Sequence, residues 1–167
     1  LRLESLESRQ LLAATSLVAE ATQAALVAAI NEVDDGGTVY FAEELAGQTI
    51  TLTGTQITLN KNVKIDGGDL GITIDANEQS QIFLIDEGFE VAINGLTLIN
   101  GLTLPGAFAK NEYGGAILNA GTLTLSNMAF TGNVAVWGGA IANAGTLTVT
   151  DSTFTGNDAD YGGAITN

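Results

Sequence analysis

The sequence predicts an all-β fold, a parallel β-helix of three-strand coils with about 24 residues per coil behind an N-terminal capping helix, on three observations. The 24 residues from Gly114 recur from Gly138 with 15 of 24 positions identical, and a third copy opens at Gly162 and stops at Asn167. Repeats of this length are units that bury their apolar face only against a neighbouring copy. From Thr38 onward the chain is a series of short apolar and Thr alternations, such as Thr49-Ile50-Thr51-Leu52 and Leu96-Thr97-Leu98, each too short to stand alone. The 21 glycines, with abundant Thr and Asn, are strand and turn composition, and 46% hydrophobic content supplies one continuous core.

Residues 1–21 hold Arg2 and Arg9 ahead of a brief apolar run, with Glu4 and Glu7 among them. That order reads either as an export-type leader or as a plain amphipathic helix, and its apolar run falls short of the roughly 20 residues that span a bilayer. The stretch Leu3-Glu4-Ser5-Leu6-Glu7-Ser8-Arg9-Gln10-Leu11-Leu12-Ala13 resembles the LExR-x-LL leader of surface and secreted proteins of planctomycete-type bacteria, with Ser8 where those proteins usually carry proline. The resemblance implies an exported protein.

Residues 22–37 read as a cap helix. Leu26, Val27, Ile30 and Val33 fall on one stripe, Thr22 is placed to cap the N-terminus, and Gly36 and Gly37 stop the helix. A single helix ahead of many strands has a clear use, because the end of a solenoid exposes core and unpaired strand edges. Residues 38–167 form the β-helix, roughly five coils, cut in mid-repeat so that further coils are expected beyond Asn167.

Residues 102–113, including Pro105 and Lys110, break the rhythm and read as a loop. After it each period holds three strand strings, Ala-Ile-x-Asn, Thr-Leu-Thr-Leu/Val and Phe-Thr-Gly-Asn, which implies a triangular coil. Equivalent positions then stack, giving inward rows of Ile117, Ile141 and Ile165, of Leu123 and Leu147, and of Phe130 and Phe154. Asn119, Asn143 and Asn167 stack as well, as do Asn133 and Asn157, and an amide ladder explains these rows better than a ligand site does.

The paired motifs Gly-Gly-Ala-Ile at 114, 138 and 162 and Phe-x-x-Asn at 130 and 154 resemble the polymorphic outer-membrane-protein repeat. That resemblance covers about residues 22–167 and implies right-handed coils and a surface-exposed passenger with a structural or adhesive role. It implies no activity. The handedness rests on the resemblance alone.

Composition narrows the chemistry. A net charge of -14 repels phosphate polymers, so nucleic acid is not expected as a partner, and the absence of His removes imidazole catalysis and ligation. β-Helix folds also carry polysaccharide lyases and glycosidases, so a fragment of a carbohydrate-active enzyme is the alternative reading. Against it, Arg2 and Arg9 are the only arginines, and the coils from Gly114 hold as acids only Asp151, Asp158 and Asp160. A glycosidase needs two carboxyls facing each other across a sugar; Asp158 and Asp160 sit on a turn, and their counterparts one coil earlier are Val134 and Val136. No catalytic residue is therefore assigned.

No cofactor is expected. Calcium is the one ion weighed, on the turn carboxylates Asp66, Asp69, Asp75, Asp158 and Asp160, none of which sits in a calcium-loop spacing. Two ligand-contact sets remain. Thr122, Thr124, Thr146 and Thr148 make Thr-x-Thr rows like those of ice-binding solenoids, a minor alternative function, although Thr is also the ordinary outward residue of a strand. Tyr113, Trp137 and Tyr161 make an aromatic column before the Gly-Gly corners, fit either to stack on sugars or to cover the corner. The expected partners are surface glycans or host or cell-surface proteins, met outside the cell or on the outer-membrane surface.

Overall fold

A computed structural model of the chain describes residues 14–103 and 112–167. The expected leader motif at Leu3–Ala13 and most of the expected loop, including Pro105 and Lys110, lie outside the described residues.

The first coil is β1 (Thr15–Val18), α1 (Gln23–Glu32) and β2 (Gly37–Phe41), followed by a single 3₁₀ turn at Glu43–Leu45. Then come β3 (Thr49–Thr51), β4 (Ile57–Leu59), β5 (Val63–Asp66), β6 (Ile72–Asp75) and β7 (Phe83–Ile85). β8 (Glu90–Asn94), β9 (Leu96–Ile99) and β10 (Leu102–Thr103) follow, and the two repeat copies supply β11 (Ile117–Asn119), β12 (Thr122–Ser126), β13 (Ala129–Thr131) and β14 (Val134–Trp137). The chain closes with β15 (Ile141–Asn143), β16 (Thr146–Thr150), β17 (Thr153–Thr155), β18 (Asp158–Tyr161) and β19 (Ile165–Thr166).

These strands stack as a parallel β-solenoid. The front sheet runs β1-β2-β5-β8-β12-β16, the side sheet β3-β6-β9-β13-β17 and the back sheet β4-β7-β11-β15-β19. The front sheet is six strands deep, one more than the five coils expected, because Thr15–Val18 pairs with Thr38–Phe41. Part of the stretch read as a leader is thus solenoid. A second difference is the small corner sheet β10-β14-β18. The earlier coils have the expected three strands, whereas the later ones add a fourth, so Asp158 and Asp160 stand on strand β18 and not on a turn. The fourth strand escapes a hydropathy reading because its inward positions are small: Thr103 stacks on Ala135, and Ala135 on Ala159.

Register makes the core. Ile50, Ile74, Leu98, Phe130 and Phe154 form one inward row, and Ile57, Phe83, Ile117, Ile141 and Ile165 another. The Phe130 and Phe154 rings lie 4.8 Å apart and 2° from parallel, the spacing of the strands that carry them. Burying a side chain of this size stabilises by about 1.5–3 kcal/mol. The corner between front and side sheets is turned at positive φ by Asn127 (52°) and Asp151 (48°), residue types that tolerate the left-handed region. That placement gives Asp151 a structural role.

The cap helix forms as expected. Thr22 Oγ1 accepts from Ala25 N at 3.1 Å, and α1 buries Leu26, Ala29 and Ile30, with Val33 just beyond, in the same core as Ile50 and Ile57. Val27 is only partly buried. The helix is tied down at both ends. Gln23 accepts from Thr53 N at 2.7 Å and donates to Thr55 O at 3.0 Å. At the other end Lys61 Nζ donates to the carbonyls of Ile30 and Asn31, each at 3.2 Å, and of Val33, placing a cation where the helix dipole is negative. No helix of the described residues is long and apolar enough to cross a membrane.

At the opposite end β16, β17, β18 and β19 each have a partner on one side only, and Leu147, Val149, Phe154 and Ile165 are only partly buried. Phe130→Ala is expected to cost about 3–5 kcal/mol and Phe154→Ala clearly less, read from urea midpoints. The 167-residue chain is expected to self-associate through this last coil as concentration rises; a monomer throughout a sedimentation series contradicts it.

Asp35 gives a pH signature. The Asn62 side-chain amide and then its backbone N–H, both at 2.9 Å, hold its carboxyl below the usual carboxylate value, with a smaller contribution from Lys61. A lowered folded pKa gives stability that is present above the unfolded value of about 3.9 and lost as pH falls through the folded value. Asp35→Asn is therefore expected to be less stable than the wild type at neutral pH, with the two melting curves converging at acid pH.

Candidate functional site

The site is built on the corner where the corner sheet turns into the back sheet. Each turn uses a glycine at positive φ, Gly114 (62°), Gly138 (66°) and Gly162 (74°), and a Cβ on Gly138 would run into the Ile141 carbonyl oxygen. The residue before each glycine is the aromatic one. Trp137 pairs with Tyr161 between β14 and β18, and an isolated parallel bridge joins Tyr113 to Trp137. Register therefore brings the three predicted aromatics into one column.

The rings lie face to face. Trp137 and Tyr161 are 4.1 Å apart at 15°, and Tyr113 and Trp137 are 6.4 Å apart at 22°. Tyr113 is 48% and Tyr161 55% exposed, with Trp137 half-buried between them. The close Trp137–Tyr161 pair covers one face of each ring, whereas Tyr161, on edge strand β18, has a ring on one side only among the described residues. The half-exposed outward side chains Val134 and Val136 on β14 extend the apolar surface beside the column, and Asp158 and Asp160 are exposed on β18.

One end of the column meets an insertion. Thr103 pairs with Ala135, and both Val136 N and Trp137 N donate to Glu112 O, so residues 104–111 are eight residues extra to the register. The chain re-enters against a buried brace: Gln81 Nε2 donates to Tyr113 O at 2.8 Å and to Gly114 O. Sequence reasoning found the loop and the column but not Gln81, which no repeat marks.

The Asn rows are internal. Asn119 is fully buried; it donates to Asn143 Oδ1 at 2.6 Å and to Thr146 O at 3.0 Å and accepts from Gly121 N at 3.2 Å. Asn133 Oδ1 accepts from Gly101 N at 2.8 Å, and Asn133 N donates to Asn157 Oδ1 at 3.1 Å. Each amide satisfies backbone that the corners leave open.

Two of the carboxylates weighed for calcium, which stand at the ends of β5 and β6 and not on turns, are similarly used. Asp66 Oδ1 accepts from Gly68 N and Asn94 Nδ2, at 2.9 and 2.8 Å, and Asp75 Oδ1 accepts from Asn77 N and Asn100 Nδ2, at 2.7 and 3.0 Å. No group of three or more acidic, His or Cys side chains able to hold a metal occurs among the described residues. A hollow of about 510 Å³ lies beside α1, lined by Thr22, Gln23, Val27, Thr49 and Thr51 among others, with no titratable side chain.

The predicted Thr rows stand outward on the front sheet but end after two coils. Thr122 and Thr124 pair with Glu90 and Ala92, and Ala92 with Lys64. A longer Thr array, which sequence reasoning missed, lies on the side sheet. Thr49, Thr73, Thr97, Ala129 and Thr153 stack in one outward row.

Comparisons with protein-family models, with curated proteins and with solved structures find no match.

Gly138→Ala tests the corner. The positive φ alone is expected to cost about 1–2 kcal/mol, and the carbonyl contact adds to it. Trp137→Ala at the neighbouring position is expected to cost less, as measured by thermal melting.

Proposed function

We propose that this chain is a non-enzymatic, exported β-solenoid that serves at the cell surface as a structural or adhesive passenger. The observation that carries the reading is the lateral aromatic column, Tyr113, Trp137 and Tyr161, repeated coil by coil beside an insertion. In solenoids, insertions gather on a face that meets partners. Tyr and Trp are the side chains that anchor protein interfaces, and here they are partly exposed beside Val134 and Val136. Among the expected partners a protein surface is favoured, because Tyr and Trp beside aliphatic side chains are the usual anchors of such contacts. The Gly-Gly-Ala-Ile and Phe-x-x-Asn motifs and the leader-like N-terminus support the setting, and the charge of -14 speaks against nucleic acid.

The test is binding of the labelled chain to bacterial and host cell-surface preparations, with and without protease treatment of those surfaces. Retention is expected to be protease-sensitive and to fall about tenfold or more in the double variant Trp137→Ala, Tyr161→Ala. Cleavage of acidic polysaccharides by the purified chain would replace this reading with that of a carbohydrate-active enzyme.

A further inference from the structure

The side sheet presents a different kind of surface from the corner. Its outward positions form two straight rows, Thr49, Thr73, Thr97, Ala129, Thr153 and Thr51, Asp75, Ile99, Thr131, Thr155, held in line by parallel pairing. No outward position is aromatic, since Phe130 and Phe154 point into the core. The single charge, Asp75, is engaged by Asn77 N and Asn100 Nδ2. Among the described residues the threonine hydroxyls of these rows make no hydrogen bond to the protein, which leaves them to solvent. On a chain of net charge -14 this is a nearly neutral face.

We propose that the outer face of the side sheet binds ice. Parallel strands set the hydroxyls about 4.8 Å apart along the solenoid and about 6.6 Å apart along each strand. The β-branched side chain is stiff at χ1, so each hydroxyl and methyl keeps its place in that grid. Water bound to such a grid is ordered before any ice arrives, and ordered water bridges surfaces at little further entropic cost. Charged side chains would instead hold water in their own geometry and resist desolvation. The front sheet is the less suited, because both Lys64 and Glu90 stand in its outward rows whereas the side sheet carries only Asp75. The absence of an aromatic platform favours ice over a crystalline polysaccharide as the hydroxylated lattice.

The experiment is partition of the labelled full chain into a slowly growing ice hemisphere, alongside grain growth in frozen sucrose. Wild type is expected to enrich in ice about tenfold or more over albumin, Thr97→Lys to lose that enrichment, and Thr124→Lys on the front sheet to keep it. Melting curves show whether each variant is folded, and the exposed Thr155→Lys serves if Thr97→Lys is not. Absence of wild-type enrichment, equal loss in Thr124→Lys, or retention on crystalline cellulose or chitin without enrichment in ice overturns the proposal.

Discussion

The strands of this protein hydrogen-bond only from coil to coil, so a strand of three or four residues exists here because another lies in register beside it. That constraint explains why the same position repeats the same chemistry. A residue stacked on its counterpart at strand spacing must be tolerated by it, and the rows answer in kind: aliphatic on aliphatic, Phe154 on Phe130, amide on amide. It also explains the unequal ends. At the first coil α1 covers the core and is fastened through Gln23 and Lys61, whereas the last coil keeps Phe154 and Ile165 only partly buried.

The same constraint shapes the surfaces. Rings that share a row come within stacking range, as they do in the column at Tyr113, Trp137 and Tyr161. Threonines that share a row become a grid of hydroxyls on the side sheet. Two surfaces of different character thus come from one rule, and neither requires side chains from distant segments to converge on a pocket. Among the described residues no three acidic side chains gather at one place: Asp66 and Asp75 bind local backbone and neighbouring amides, and Asp151 turns a corner.

Much of this was legible in the chain, unevenly. The repeat copies announced the stacking, the inward Ile, Leu and Phe rows and the Asn ladders, and a separate apolar stripe announced the cap helix with Thr22 at its start. The side-sheet register was present too, since Ile50, Ile74 and Leu98 are already one period apart, but apart from the Thr before each of them no longer motif repeats. Strand β1 was hidden within a segment read as a leader, and the corner sheet behind the small inward residues Ala135 and Ala159. Gln81 was invisible because its role depends on where a chain re-enters after an insertion, which no local pattern encodes.

That insertion has a wider meaning. The chain leaves the ladder after Thr103 and rejoins it at Tyr113 with the hydrogen-bond phase and the inward rows intact. The core is therefore indifferent to how many residues pass through this corner, and closing a longer segment there costs little, about 0.6 kcal/mol for each doubling of length. A ladder that resumes in register on either side of a corner can accept extra sequence there without altering the rows above and below it.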